Sequence, residues 1–302
     1  MDCPNCGSGD SIRRGNYYLK DGTTKVQKQC KQCGEYFSEV DTQNPKPRLF
    51  YVDIETSMME YVIRTFSPRV DYLSHKDITK DWFVICWAGQ WIGTDRVLHS
   101  VVTPKEALAR DDRRVCADFL EILNEADVII AHNGDRFDMK KLRYRFRFAH
   151  NFPPPLPYRT IDTLKIMRRV YGASSNSLDF LARMGLKIPA KLKTERQLWL
   201  DCEAGDPVAL GRMDTYCVND IHIGIGLYKK IIPDAPNGVN LALYTNMDKP
   251  QCPRCLGDIE INDKRDTTGM NAFGTYRCLE CGHTGRTRNS VLDKEQRKNL
   301  KP

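Results

Sequence analysis

The sequence contains no long hydrophobic run, and its first residues lack the charged and then apolar pattern of a secretory signal. A membrane-spanning helix needs about 18 consecutive apolar residues, whereas the longest apolar stretches here have only the length of a strand. The chain of 302 residues is 41% apolar and 28% charged, as is typical of a soluble globular protein of about two domains. These absences exclude an integral membrane protein and predict a cytoplasmic chain without a membrane partner.

Neither sign of charge strongly dominates the composition. The 46 lysine and arginine residues outnumber the 39 aspartate and glutamate residues, which gives a net charge of +7. A basic balance favours a polyanionic partner such as nucleic acid, but charge alone does not establish that partner. The functional interpretation therefore depends on motifs.

Cysteine, by contrast, is placed very regularly. Four Cys-x-x-Cys pairs occur, two near each end of the chain, and their members are Cys3, Cys6, Cys30, Cys33, Cys252, Cys255, Cys278 and Cys281. Two such pairs supply the tetrahedral shell of four thiolates that a structural zinc ion prefers. The pattern predicts two zinc ribbons, each holding one Zn²⁺. Disulfides are the alternative, which a reducing compartment disfavours.

Short proline-containing linkers divide the chain into segments. The predicted segments are an N-terminal zinc ribbon at 1–41, a central domain at 48–232, a C-terminal zinc ribbon at 251–287 and a basic tail at 288–302. The ribbons are predicted to present or select a substrate. Support of folding is the alternative role.

The central domain opens with three strand-like apolar runs and then changes to alternating strand and helix patterns. Three consecutive strands suggest an antiparallel start, and the later alternation indicates an α/β domain. The predicted strands are 49–55, 82–88, 97–102 and 128–130, and the predicted helices include 104–124, 137–149 and 206–231.

The first strand of this domain carries two acidic residues inside an apolar run. Asp53 and Glu55 are two residues apart and therefore point to the same face of the strand. Two carboxylates held together in an apolar setting repel each other, whereas divalent cations favour the ionised form of both. Asp-x-Glu recurs elsewhere in the chain, so the apolar context indicates the metal site, and a solvated strand end is the alternative.

Further acidic residues follow in contexts that suit a shared site. Asp138 comes after the predicted strand 128–130, at a junction between strand and helix. Tyr216 and Asp220 are four residues apart and therefore share one face of a long amphipathic helix. A carboxylate on such a packing face needs a partner.

Three motifs in this order resemble those of a known enzyme superfamily. The exonuclease motifs of the DEDD (DnaQ-like) superfamily are similar to three segments of this chain: Asp53-Ile54-Glu55-Thr56, Asn133-x-x-x-Phe137-Asp138 and Tyr216-x-x-x-Asp220. The exonuclease domain of family B DNA polymerases is the most similar member, and the resemblance covers about residues 48–232. It implies a ribonuclease H-like mixed sheet that begins with three antiparallel strands and has helices on both faces.

The resemblance also implies roles for individual residues. The acidic residues of the motifs would bind two Mg²⁺ or Mn²⁺ ions, namely Asp53, Glu55, Asp138 and Asp220. Tyr216 would position the attacking water, since a phenol stays protonated near neutral pH. The related histidine type carries His five residues before the last aspartate, where this chain has Thr215, so the chain resembles the tyrosine type.

The implied activity is hydrolysis of phosphodiester bonds from a 3′ end by a two-metal-ion mechanism, with single-stranded DNA as the favoured substrate. The alternatives are an RNase or a structure-selective endonuclease on the same fold, or a zinc-ribbon adaptor that binds nucleic acid without catalysis. No polymerase pattern follows, so we expect no proofreading in cis. Replication or recombination proteins are the suggested partners.

Three features near the second motif have two interpretations. His132 is predicted to be a hydrogen-bonded histidine at a strand end, with a metal ligand as the alternative, and Asp162 to lie near the site as support and not as a fifth ligand. A run of basic and aromatic residues predicts contacts with a phosphate backbone, and the alternative is a solvated helix face with its aromatics in the core. The run contains Arg136, Phe137, Lys140, Lys141, Arg143, Tyr144, Arg145, Phe146, Arg147 and Phe148.

Overall fold

The chain folds into two compact units, residues Met1–Lys46 with Ala242–Lys249 and residues Pro47–Leu241 with Pro250–Pro302. The computed structural model describes residues 2–18, 24–40, 46–63, 74–189, 191–236, 238–245 and 249–300. Within those ranges, no helix is long and apolar enough to cross a bilayer.

The first unit is built on a three-stranded antiparallel sheet. Its strands are adjacent in chain order: β1 (Ser11–Tyr18), β2 (Thr24–Cys30) and β3 (Tyr36–Val40). Cys3 and Cys30 are buried together with Phe37. Gly34 adopts a φ of 77°, in the left-handed region that glycine enters without strain, at the turn after Cys33.

The second unit contains a five-stranded mixed sheet. The strands of this part of the chain are β4 (Leu49–Thr56), β5 (Glu60–Tyr61), β6 (Ile78–Lys80), β7 (Val84–Trp91), β8 (Val97–Val101), β9 (Val128–Ala131) and β10 (Arg159–Asp162). The sheet order is β10-β9-β4-β7-β8, while β5 and β6 form a separate hairpin. The pairs among β4, β7 and β8 are antiparallel, and those among β4, β9 and β10 are parallel. The predicted mixed sheet with an antiparallel start is confirmed.

Helices pack on both faces of this sheet. They are α1 (Pro104–Ala109), α2 (Arg113–Glu125), α3 (Asp138–Tyr144), α4 (Thr163–Val170), α5 (Leu178–Phe180), α6 (Arg196–Glu203) and α7 (Pro207–Ile231). Phe50 of β4 packs against Phe119 of α2, with ring centroids 6.4 Å apart. Tyr51 points to the opposite face, and a Cβ at Gly224 of α7 would lie 2.0 Å from its hydroxyl oxygen. Only glycine therefore lets α7 approach β4 this closely.

The sequence pattern predicts one helix over 104–124, whereas the structure has two. Arg110 ends α1 in the left-handed region, with a φ of 53°, and Asp112 precedes α2. The interruption places the carboxylate of Asp112 inside the protein, where it is fully buried. A requirement for a buried acceptor therefore overrides the local helical periodicity.

Asp112 joins three elements of the second unit. Its carboxylate accepts hydrogen bonds from the backbone N–H of Val84 at 2.8 Å and from the Arg145 guanidinium at 2.6 and 2.8 Å. Its Oδ1 also lies 2.6 Å from Nε2 of His150. Arg145 is thus part of a buried ion pair and not of a solvent-facing basic surface.

We expect Asp112→Ala to lower the free energy of unfolding by about 3 to 5 kcal/mol, because it leaves the largely buried Arg145 charge without its partner. Urea denaturation at neutral pH measures this loss. The exposed Asp95 supplies a matched control, and Asp95→Ala should change the free energy of unfolding by less than about 0.5 kcal/mol. Equal stability of the two variants would contradict a stabilising role for the buried ion pair between Asp112 and Arg145.

The C-terminal part of the second unit is another three-stranded antiparallel sheet. It consists of β11 (Ile259–Thr267), β12 (Ala272–Cys278) and β13 (Thr284–Ser290), followed by the short helix α8 (Lys294–Lys298). Asp293 caps α8 through the backbone N–H of Gln296. Regular structure therefore continues into the segment that the composition describes only as a basic tail.

This C-terminal sheet docks against the chain that follows α7. Arg254 is buried and donates hydrogen bonds to the carbonyl oxygens of Ala235, at 2.8 Å, and Val239, at 3.0 Å. Nδ1 of His283 lies 2.6 Å from the carbonyl oxygen of Pro233. The docking therefore uses backbone carbonyls beyond the helix end as acceptors.

Candidate active site

Three carboxylates from two elements converge between β4 and α7. One oxygen atom from each of Asp53, Glu55 and Asp220 lies within 4.8 Å of the other two. The thiol of Cys217 donates to the backbone carbonyl of Asp53 at 3.4 Å, so α7 contacts β4 directly at this level. The strand alternation and the helical spacing thus bring together three of the four predicted metal ligands.

The fourth predicted ligand, Asp138, lies beside this group without being part of it. It is the first residue of α3 and is buried. Its Oδ1 accepts a hydrogen bond of 3.2 Å from the backbone N–H of Ile54, the residue between Asp53 and Glu55. The carboxylate of Asp138 is therefore fixed against the same stretch of β4.

Asp162 and His132 have structural partners. Asp162 caps α4 and also accepts a hydrogen bond of 2.9 Å from the backbone N–H of Asn133, which orders the loop leading to Asp138. The ring nitrogens of His132 lie 2.9 Å from Oγ1 of Thr163 and 2.8 Å from a backbone carbonyl oxygen, that of residue 176. His132 is thus the hydrogen-bonded strand-end histidine that the sequence predicts.

Lys191 enters the site without a signal in the sequence pattern. Its Nζ lies 2.5 Å from Oδ2 of Asp220 and 4.9 Å from the centre of the Tyr216 ring. Lys187 and Lys193 occupy the same irregular stretch, so composition gives no reason to select Lys191. Its ammonium group partly balances the negative charge of the carboxylates.

Burial raises the pKa of every acid in the site. Burial and the charges of neighbouring carboxylates raise the pKa of Asp53 well above its ordinary range. Burial raises the pKa of Glu55 to about 8 and that of Asp138 to about 7. Burial also raises the pKa of Asp220, although Lys191 opposes this shift. Ionisation of all four carboxyl groups together therefore requires more positive charge than Lys191 supplies.

The oxygen donors fit a divalent cation. Oδ1 of Asp220 is buried and accepts no hydrogen bond from any residue that the structure describes. A buried acceptor without a partner is costly, and a cation bound among Asp53, Glu55 and Asp220 would satisfy it. Carboxylate oxygens are the ligands that Mg²⁺ and Mn²⁺ prefer.

The raised pKa values predict a pH-dependent competition between protons and cations. Because the pKa values of Glu55 and Asp138 are about 8 and about 7 in the folded protein, we expect Mn²⁺ affinity to rise between about pH 6 and 8.5. Without the cation, these two carboxyl groups stabilise the folded protein through their raised pKa values. Their contribution is fully present below the ordinary pKa near 4 and is lost as the pH rises through about 7 to 8.

Thermal unfolding of the zinc-loaded protein, with and without Mn²⁺, measures both effects. The Tm without Mn²⁺ should fall as the pH increases from about 6 to 8.5, and Mn²⁺ should reverse the fall. A Tm that is independent of pH over this range, together with a constant Mn²⁺ affinity, would contradict the predicted competition.

Both cysteine tetrads have the dimensions of a four-sulfur metal site. The distances between sulfur atoms are 3.5 to 3.7 Å for the pairs Cys3 and Cys33, Cys6 and Cys30, Cys252 and Cys281, and Cys255 and Cys278. Sulfur atoms that are 2.3 Å from a common tetrahedral zinc ion would lie about 3.8 Å apart. All of these cysteines are free thiols. The two tetrads therefore fit zinc ribbons.

A comparison with known protein families gives a match in the central part of the chain. Residues 99–190 match the family model RNase_T, described as exonuclease. This segment contains Asn133, Phe137 and Asp138, whereas the residues of the first and third motifs lie outside it. The chain has no match among curated proteins.

A solved structure is similar over a larger part of the chain. It is the family B DNA polymerase from the hyperthermophilic archaeon Pyrobaculum calidifontis, with 18% sequence identity and a TM-score of 0.47. The alignment covers 74% of this chain and 29% of the polymerase, so the chain spans less than a third of that protein. Residues 99–190 resemble the exonuclease family in sequence, in agreement with the resemblance stated from the motifs.

Proposed function

We propose that the protein is a metal-dependent 3′-to-5′ exonuclease that acts on single-stranded DNA. The match to the exonuclease family supports hydrolysis of phosphodiester bonds in nucleic acid. The observation that carries the proposal is the convergence of Asp53, Glu55 and Asp220 within 4.8 Å, beside the buried Asp138. The net charge of +7 suits a polyanionic substrate.

The four carboxylates would hold two Mg²⁺ or Mn²⁺ ions. Such ions, when bound, supply activation of a water molecule and stabilisation of the leaving 3′ oxygen. Asp53 and Glu55 provide oxygens from one strand face, and Asp220 provides them from the opposing helix. The backbone N–H of Ile54 donates to one carboxyl oxygen of Asp138 and holds it in place, and the other oxygen would be the one available to a cation.

Tyr216 would orient the attacking water. It precedes Asp220 by about one helical turn, and its ring makes an edge contact with Trp199 at a centroid distance of 6.3 Å. Burial raises the pKa of Tyr216, so its hydroxyl stays protonated near neutral pH and can both donate and accept a hydrogen bond. Positioning is therefore a better role for this residue than abstraction of a proton.

The two cysteine tetrads would each hold one structural Zn²⁺. Four thiolate ligands close the tetrahedral shell and leave no position for a reacting water. The ribbons therefore take no part in hydrolysis, and the carboxylate site alone performs the chemistry. Their position at the two ends of the chain suits presentation or selection of the DNA substrate.

Digestion of single-stranded DNA labelled at its 5′ end tests this function. We expect a ladder that shortens from the 3′ end only when Mg²⁺ or Mn²⁺ is added to the zinc-loaded protein. Tyr216→Phe should lower the rate of digestion by about tenfold to a hundredfold, because it removes one hydrogen bond to a reacting group.

Matched substrates separate the alternatives. Degradation of RNA but not of DNA would indicate an RNase, and internal cuts in a stem-loop would indicate an endonuclease. Binding of either nucleic acid without any cleavage would favour the zinc-ribbon adaptor and reject the exonuclease.

A further inference from the structure

Two aromatic side chains stack on the surface near α3, and a third ring lies next to them. The rings of Tyr144 and Phe148 stack at a centroid distance of 5.5 Å, with an angle of 29° between their planes. The ring of Trp82 lies 5.8 Å from that of Tyr144 and is tilted by 40° relative to it. We call Trp82, Tyr144 and Phe148 the aromatic ladder.

Packing of the core does not explain the ladder. Phe146 takes the core position of this segment, being only 2% exposed, and Arg145 is held by the buried Asp112. Phe148, in contrast, is 79% exposed and Tyr144 is 44% exposed. The basic and aromatic run therefore divides into an inward part that stabilises the fold and an outward part that is available to a ligand.

Positive charge surrounds the ladder. Nζ of Lys141 lies 3.8 Å from the centre of the Trp82 ring. Arg143 and Arg147 line an adjoining depression of about 400 Å³, whose opposite wall is the stretch 153–158. These two guanidinium groups donate to neutral oxygens, the hydroxyl of Tyr158 at 2.9 Å and a backbone carbonyl, that of residue 152, at 3.2 Å. Their charge remains available to an anionic ligand.

The number of residues between Asp138 and Phe148 gives an approximate spacing between the carboxylates and the ladder. Asp138 is the first residue of α3, and the helical segment continues through a π-helical turn, Arg145–Ala149. Phe148 is ten residues beyond Asp138, which corresponds to about 15 Å along a helix. At about 3.4 Å for each stacked base, this distance is spanned by about four nucleotides.

We propose that the aromatic ladder stacks unpaired bases of a single strand about four nucleotides on the 5′ side of the bond that is cleaved, while Arg143 and Arg147 contact its phosphates. This rests on the proposed function, which places the 3′ end at the carboxylates. Stacking on flat rings requires bases whose faces are free, and it tolerates any base. The ladder therefore selects single strands longer than about four nucleotides, without sequence preference.

Binding of a fluorescent single-stranded DNA of about 12 nucleotides, followed by anisotropy without Mg²⁺ or Mn²⁺, tests the proposal. Phe148→Ala and Tyr144→Ala should each raise the Kd at least about fivefold, the lower limit for loss of stacking on one base. Phe148→Leu should weaken binding similarly, because leucine keeps apolar bulk but lacks a flat ring. Val208→Ala removes apolar surface from a side chain that is 68% exposed elsewhere and should leave the Kd unchanged.

Salt dependence separates the two kinds of contact. Arg147→Ala should reduce the slope of log K against log salt concentration by about one, whereas Phe148→Ala should leave that slope unchanged.

An unchanged Kd for the long strand in both aromatic variants, with wild-type circular dichroism and Tm, would overturn the proposal. Binding of the wild-type protein to duplex DNA but not to single strands would also overturn it. Because these measurements need no hydrolysis, they are independent of the nuclease assay. If the proposed function is wrong, the protein should not digest DNA, whereas substitutions in the aromatic ladder should still weaken DNA binding.

Discussion

Asp220→Asn is expected to lower the rate of phosphodiester hydrolysis by about a thousandfold or more and to leave the fold intact. Asparagine keeps the volume of the buried side chain but loses the charge and one carboxylate oxygen. The carboxylate of Asp220 lies within 4.8 Å of those of Asp53 and Glu55, so we expect its loss to prevent a cation from binding between strand and helix. A thousandfold loss corresponds to about 4 kcal/mol, within the several kcal/mol that a catalytic metal ion contributes.

Single-turnover digestion of 5′-labelled DNA measures this loss, and Mn²⁺ binding measured separately reports on the cation site. Asp214→Asn is the matched control, because Asp214 lies on the same helix and pairs with His99 at 2.8 Å, away from the cluster. It should retain activity within about twofold, since it contributes only a partly exposed ion pair. More than a tenth of wild-type activity in Asp220→Asn, at full zinc content, would exclude Asp220 from the catalytic role.

The parts of this site that the sequence predicts are those governed by local geometry. Asp53 and Glu55 share a face because side chains alternate along any strand, and the apolar neighbours indicate that the strand is buried. The helix 206–231 is predictable because Asp206 caps it and Pro207 suits its first position. In both cases the residue spacing together with the neighbouring residues is sufficient.

Lys191 and Asp112 could not be predicted, because their roles depend on partners distant in the chain. Lys191 lies in an irregular stretch and acquires its role only when α7 brings Asp220 next to it. Asp112 lies at the interruption between α1 and α2, where its carboxylate accepts hydrogen bonds from Val84 and Arg145 of other elements. The ion pair with Asp112 also fixes Arg145 of the basic run on the inward side, which helical periodicity alone does not predict.

Replacement of a cysteine in the C-terminal tetrad is expected to have the largest effect on stability. Cys278→Ser should unfold the C-terminal ribbon, and the zinc content should fall from two ions to one in each chain. A structural Zn²⁺ contributes about 10 kcal/mol or more to folding of such a module, as much as the whole stability of many domains. The exposed strands β11 and β13 cannot replace this contribution, since few of their side chains are buried.

The consequence should extend to the end of α7 but not to the carboxylates. Arg254 and His283 bond to the chain that follows α7, so loss of the ribbon frees the carbonyls of Ala235 and Pro233. The middle of α7 is held separately by the contact of Gly224 with Tyr51, which does not involve the ribbon. Hydrogen exchange should therefore accelerate in the last turn of α7 and beyond, while the amides of β4 stay protected.

Cys33→Ser supplies the matched control for this pattern. It removes a ligand from the N-terminal tetrad and should also reduce the zinc content by one ion, but the docking of Arg254 and His283 remains. Hydrogen exchange at the end of α7 should then resemble that of the wild type. Unchanged exchange at this position in Cys278→Ser, with one zinc ion lost, would mean that the helix end is stable without the ribbon. Metal-dependent folding would in that case be confined to the ribbon itself.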